Sequence, residues 1–356
     1  MTRLGDAPES FTTVYVAQRG LLAIFSSTKL ATWMAELHDA LPLSVLSIPG
    51  THNSPTYRVA LPSVRCQAVS VREQLDNGVR FLDVRVSAGR DDDNMTLVHS
   101  AFPVSLTGAR YLADLLTECY AFLDAHPREA LLVSVKREGT GRASDQQMAR
   151  HLHARFVDRD PARWIDVRRA AGGEFGIDGQ SWPDNCEDGA VSSGLVRVQD
   201  FYGVGLGTTV EKKISYSCAQ LERAASMAHE HEQNGTANGT ANGAAANGAV
   251  EAAAAVAAAE VQAVVAAAVP PLFVNFLTAS NFFNATCWPE RIAAKVNPRI
   301  VEYLCARHAI DGAGERGLSV GHGGTGIVVT DWVGAHGDWD LIRCVVGMNA
   351  RLIGKK

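Results

Sequence analysis

Six apolar, β-branched runs in this chain each end on, or are followed within a few residues by, a charged or imidazole side chain, and that recurrence restricts the folds open to it. VLSIPG leads to Thr51-His52-Asn53, FLDVR ends at Arg85, TLVH ends at His99, and LLVSVKRE carries Lys136 and Glu138. LVRVQD ends at Asp200 and GIVVTD at Asp331. A parallel α/β barrel produces this pattern, because aliphatic side chains fill its interior and the active site lies across the carboxyl ends of its strands. Two histidines, an arginine, a lysine and two aspartates are then expected to face one pocket.

Helix-like and strand-like stretches alternate around these runs. SVREQLDNG reads as a short helix with a glycine stop, and LTGARYLADLLTECYAFLDAHP carries apolar residues at three- and four-residue spacing. SDQQMARHLHARFV, TTVEKKISYSCAQLERAA and PERIAAKVNPRIVEYLCARHA are further helices, the last with a break expected at Pro298. With PLFVNFLT the candidate strands number seven, leaving a gap between about residues 156 and 191 where a barrel wants one more. Residues 1–41 are expected to form an N-terminal extension with a leading helix, and 42–350 a single catalytic domain. Within that domain, 226–269 is a low-complexity Asn/Gly/Ala-rich insertion, its first half a flexible linker and its alanine-rich second half marginally helical.

A net charge of −5 and the lack of a basic stripe argue against a nucleic-acid partner. The seven cysteines are scattered without a CxxC pair or metal-ligand spacing, and read as reduced core residues. GLLAIF after Arg19 is too short for a signal segment, so the expected location is cytoplasmic and peripheral to membranes.

His52 and His99 at different strand ends suit a separate base and acid near neutral pH. Arg85 ends an apolar run, where a guanidinium needs a phosphate or carboxylate partner. Asp331 is placed to orient a histidine and raise its basicity. Asn53, Asp83 and Glu138 could instead supply oxygen ligands to calcium. Against that rival, Arg85 and Lys136 would repel a divalent ion and could themselves neutralise a phosphoryl oxygen.

Taken in order, SIPGTHNS, SVREQLDNGVRFLDVRV, LVHS, LLVSVKRE, VQDFY and VVTDW resemble the phosphatidylinositol-specific phospholipase C family, in its bacterial-type single-domain form, over roughly residues 42 to 350. The resemblance implies a distorted, incompletely closed TIM barrel. It also implies a metal-independent cleavage in which the inositol 2-hydroxyl attacks phosphorus, giving diacylglycerol and inositol 1,2-cyclic phosphate. His52 matches the general base, Asp331 its carboxylate partner, His99 the general acid, and Arg85 the arginine that replaces the calcium of metal-dependent relatives. Lys136, Glu138, Asp200 and Tyr202 match inositol contacts, and Asn53 and Asp83 are placed with them as substrate-side residues. Asn53 departs from the family's usual aspartate at that position. The family's inositol-binding arginine has only Arg169, or else Arg168, to represent it. The partner implied is a phosphatidylinositol-containing membrane surface met by a monomer. The alternatives are a catalytically impaired inositol-lipid binding protein and a calcium-dependent phosphodiesterase of the same fold.

Overall fold

β-Branched and aliphatic residues with both faces covered build the central sheet in the computed structural model. It describes residues 11–26, 29–91, 94–164, 182–191, 194–205, 207–239, 270–309 and 323–353. In chain order the elements begin with β1 (Phe11–Val16), β2 (Leu21–Ser26), β3 (Ser47–Thr51), α1 (Val71–Asp76), β4 (Phe81–Ser87), β5 (Thr96–His99) and β6 (Phe102–Pro103). They continue with α2 (Leu112–Ala125), β7 (Leu132–Arg137), α3 (Asp145–Leu152), β8 (Gly189–Val191), β9 (Val196–Gln199) and α4 (Gly207–Gly239). The last are β10 (Leu272–Phe276), α5 (Pro289–Ala306), β11 (Gly326–Thr330) and α6 (Asp340–Gly347).

Six strands run parallel in the order β9-β10-β11-β3-β4-β7, and β8 adds an antiparallel edge to β9. Every residue of β3 and β11 is buried, as strands covered on both faces require, whereas β7 is only half-buried because it stands at an edge. Among the described residues no pairing joins β7 to β8, so the barrel is incompletely closed. Alternation along β11 divides the core: Ile327 and Val329 pack in one cluster with Ile48, Leu82 and Phe276, while Val328 faces Val296 and Ile300 of α5 and Val345 of α6 in the other.

Several expectations are corrected. No helix leads the chain among the described residues before 42 beyond short 3₁₀ turns. FTTVYV and LLAIFS, rich in β-branched and aromatic residues, form the hairpin β1–β2 instead, and Val14 and Val16 bury against α5 and α6. β5 is not a barrel strand. It returns antiparallel along the end of β4, with Val86 opposite Leu97, and so carries His99 back toward the pocket. The gap before Val191 holds β8, whose three residues are too few for a periodic signal.

α5 runs unbroken through Pro298, because its apolar stripe (Ile292, Val296, Ile300, Leu304) is buried on both sides of the proline. α4 extends to Gly239, into the first part of the low-complexity stretch expected to be a flexible linker. Residues 240–269, and with them the alanine-rich half, lie outside the described residues. No helix among those described is long and apolar enough to cross a membrane.

Candidate active site

The turn after β3 places His52 and Asn53 across the end of the sheet. The His52 backbone N–H donates to the Thr330 carbonyl at 2.9 Å, and Gln67 Nε2 ties the His52 and Thr330 carbonyls together at 2.7 and 2.9 Å. Asp331, the residue after β11, puts Oδ1 2.9 Å from His52 Nδ1. That contact fixes the tautomer with hydrogen on Nδ1 and leaves the Nε2 lone pair for the pocket. Burial pushes the Asp331 carboxyl up, against the pull of His52 and Arg85.

Arg85 on β4 lies between two carboxylates. Its Nε donates to Asp83 Oδ2 at 3.2 Å and its NH1 to Glu138 Oε1 at 2.6 Å. Asp83 Oδ2 also accepts the Asn53 N–H at 3.1 Å and stands 3.9 Å from His52 Nε2. Glu138 Oε1 is 3.3 Å from Lys136 Nζ, and Oε2 accepts the Ser100 N–H at 2.8 Å. Burial pushes both carboxyls up, but Arg85 and the neighbouring cations and N–H groups outweigh it and hold both below their usual range. Arg85 itself is disfavoured by burial, yet Asp83 and Glu138 keep its guanidinium firmly charged.

The His99 ring meets the His52 ring edge-on, centroids 5.6 Å apart, and donates from Nδ1 to the Val64 carbonyl at 2.8 Å. Burial first, then His52 and Arg85, lower its pKa to about 4. In the free protein it is therefore neutral at pH 7.

Asn53 is fully buried at φ 39°, and its Nδ2 donates to the Val98 carbonyl at 3.2 Å. Its backbone N–H donates to Asp83 Oδ2. Asp83 is 3% exposed and acts on Arg85 and His52 rather than toward solvent. Asp200, just past β9, accepts from Trp182 Nε1 at 3.0 Å, and burial raises its pKa despite Lys213 and Arg85. Tyr202, 41% exposed, donates to Asp184 Oδ1 at 2.7 Å. Arg169 and Arg168 lie outside the described residues.

Sequence reasoning passed over Gln67 and Lys213. Lys213 Nζ, fully buried, donates to Gln199 Oε1 at 3.0 Å and to the Phe201 carbonyl at 2.7 Å, which anchors the segment carrying Asp200; burial lowers its pKa to about 7. Its signal was available, since Lys213 falls on the buried stripe Val210–Ile214–Leu221 of α4. Gln67 sits in a loop with no periodicity to mark it. Of the aromatic residues near the mouth, Phe282 stacks on Phe102 at 5.1 Å and Phe283 is 95% exposed. Trp182, Trp288 and Trp332 are engaged, on Asp200, the Phe282 carbonyl and the Arg65 guanidinium.

The oxygen set Asn53, Asp83 and Glu138 does not suit calcium as it stands, because the Arg85 guanidinium occupies the space between the two carboxylates. What the arrangement offers is a base, an acid and a fixed positive charge within one cleft, the parts needed to transfer a phosphoryl centre between two oxygens.

Residues 42–144 match the PI-PLC X 1 family model. The 1-phosphatidylinositol phosphodiesterase of Listeria monocytogenes is 31% identical over 121 residues, 32% of this chain and 35% of that one. PI-PLC X domain-containing protein 1 of Homo sapiens is 31% identical over 137 residues, 29% of this chain and 41% of that one. The matched stretch thus spans less than half of these curated relatives. A solved variant of the phosphatidylinositol-specific phospholipase C from Staphylococcus aureus superposes with TM-score 0.62 at 18% identity, covering 90% of this chain and 98% of that chain, a likeness of fold.

Proposed function

We propose that this chain is a member of the PI-PLC X family and cleaves phosphatidylinositol or its glycosylated forms to diacylglycerol and inositol 1,2-cyclic phosphate without a metal. The observation that carries this reading is Arg85 clamped between Asp83 and Glu138 beside two imidazoles. His52 Nε2 removes the proton of the inositol 2-hydroxyl while Asp331 stabilises the imidazolium that forms. The 2-oxygen bonds to phosphorus, the bond from phosphorus to the glycerol oxygen breaks, and His99 protonates that oxygen. Arg85 neutralises charge on the phosphoryl oxygens, the work a calcium ion does elsewhere.

His99 must carry its proton to act as the acid. The anionic phosphodiester supplies the raising field, since a negative charge beside an imidazole favours the protonated form. Lys136, Glu138, Asp200 and Tyr202 are assigned to the inositol hydroxyls, with Lys136 and Tyr202 the most exposed of the four. A membrane surface is the proposed partner, engaged by Phe282 and Phe283 at the mouth. Incubation of EDTA-treated protein with phosphatidylinositol vesicles tests the reading through release of inositol cyclic phosphate. Vesicle binding without turnover, unchanged in His52→Ala, would favour the binding-protein alternative.

A further inference from the structure

Cys66 lies beside His99, and the phosphodiesterase reading leaves it unused. It is fully buried, and its Sγ lies 3.5 Å from His99 Nδ1. The loop that delivers it is fixed: the Cys66 N–H donates to Thr56 Oγ1 at 3.1 Å, and its carbonyl accepts the Trp332 N–H at 2.8 Å. One donor atom from each of His52, Cys66 and His99 lies within 4.8 Å of the others.

We propose that His52, Cys66 and His99 form a binding site for a thiophilic divalent cation, of which Zn²⁺ is the prototype. Two imidazoles and a thiolate match borderline-soft metals and not calcium or magnesium, which want oxygen. An acceptor already stands behind the His52 ring, Asp331 Oδ1 at 2.9 Å from Nδ1. Such an outer-shell partner orients an imidazole ligand toward a metal.

Tetrahedral zinc holds its donors roughly 3.5 Å apart, so closure needs side-chain shifts of about 1 Å. The thiol proton leaves to solvent on ligation, and the fourth position stays open to water or an anionic oxygen. The carboxylates Asp331, Asp83 and Glu138 around the pocket outnumber the cations Arg85 and Lys136. An ion held there occupies both imidazoles and halts their proton transfers. That consequence rests on the phosphodiesterase reading, whereas the binding itself does not.

The site is tested on the EDTA-stripped 356-residue chain by equilibrium dialysis with Zn²⁺ and by absorption on titration with Co²⁺. The wild type is expected to bind one equivalent of Zn²⁺ and to show a thiolate-to-Co²⁺ charge-transfer band. Cys66→Ala should lose the band, and its Zn²⁺ affinity should fall about tenfold or more. His99→Ala, which keeps the thiol, should also weaken binding and guards against a folding defect in the first variant. Equal Zn²⁺ binding in wild type and Cys66→Ala, or Co²⁺ binding without a thiolate band, overturns the proposal. Turnover of phosphatidylinositol vesicles by EDTA-stripped protein, assayed after the chelator is removed, should be suppressed by Zn²⁺ in the wild type and resist it in Cys66→Ala. Absence of turnover in EDTA counts against the phosphodiesterase reading alone, and the dialysis still decides the metal site.

Discussion

His52 and Asp331 lie 279 residues apart in the chain and 2.9 Å apart in the fold, and the proposed base exists only through that approach. His52→Ala and His99→Ala are each expected to lower turnover about 10²–10⁴-fold while leaving vesicle binding intact, the range for removing one proton-transfer group. Arg85→Lys should not restore the activity lost in Arg85→Ala, because an ammonium cannot bridge Asp83 and Glu138 as the guanidinium fork does. Recovery of full turnover by lysine would contradict the role given to Arg85.

His99 also makes a stability statement. Its pKa falls from 6.5 to about 4 on burial beside His52 and Arg85, so between those values the unfolded chain binds more protons. Its contribution is present above about pH 6.5 and is lost as pH falls toward 4. The thermal midpoint of the wild type should drop over that interval more steeply than that of His99→Gln; parallel curves would remove the argument. These residues stood out in the sequence because each lies within or just after an apolar run. That Cys66 approaches His99 was not legible, since it depends on a loop conformation no periodicity encodes.

The elements hold the site by fixing where each strand stops. At the end of the sheet away from the site, Arg80 enters β4 fully buried, with Nε on Glu129 Oε2 at 2.8 Å and its guanidinium 4.7 Å from the Phe122 ring. Glu129→Ala should cost about 3–5 kcal/mol in denaturant unfolding, since it strands a buried charge. Gly50 in β3 passes so close to β4 that a Cβ would lie 2.9 Å from Phe81 Cδ1, and Gly50→Ala is expected to cost about 1–3 kcal/mol. Unchanged unfolding midpoints in either variant would contradict these packing assignments. The long aliphatic strands could be read from sequence because length and β-branching mark them. β5's antiparallel return and the three residues of β8 could not, because short runs do not reveal their direction or partner. Pro298 was misleading for the opposite reason: packing on both sides overrode a local breaker.

At the scale of the whole molecule, an open barrel places a charged cleft beside an aromatic edge. Phe282 and Phe283 follow β10, and the ring of Phe282 stacks on Phe102, which follows His99, so the edge and the segment after His99 are joined. Phe283→Ala should lower partition into phosphatidylinositol vesicles roughly 10- to 100-fold, the worth of one buried phenyl ring, with a smaller effect on turnover in micelles. Equal losses in both systems would assign Phe283 to catalysis or folding instead.

The central claim is that Arg85, and not a divalent ion, meets the charge of the phosphoryl group. Turnover of phosphatidylinositol by EDTA-treated protein tests it most directly. Inositol 1,2-cyclic phosphate should form at a rate that added calcium does not raise, and Arg85→Ala should reduce that rate about 10²–10³-fold. No product in EDTA, with product appearing on addition of calcium, would contradict it.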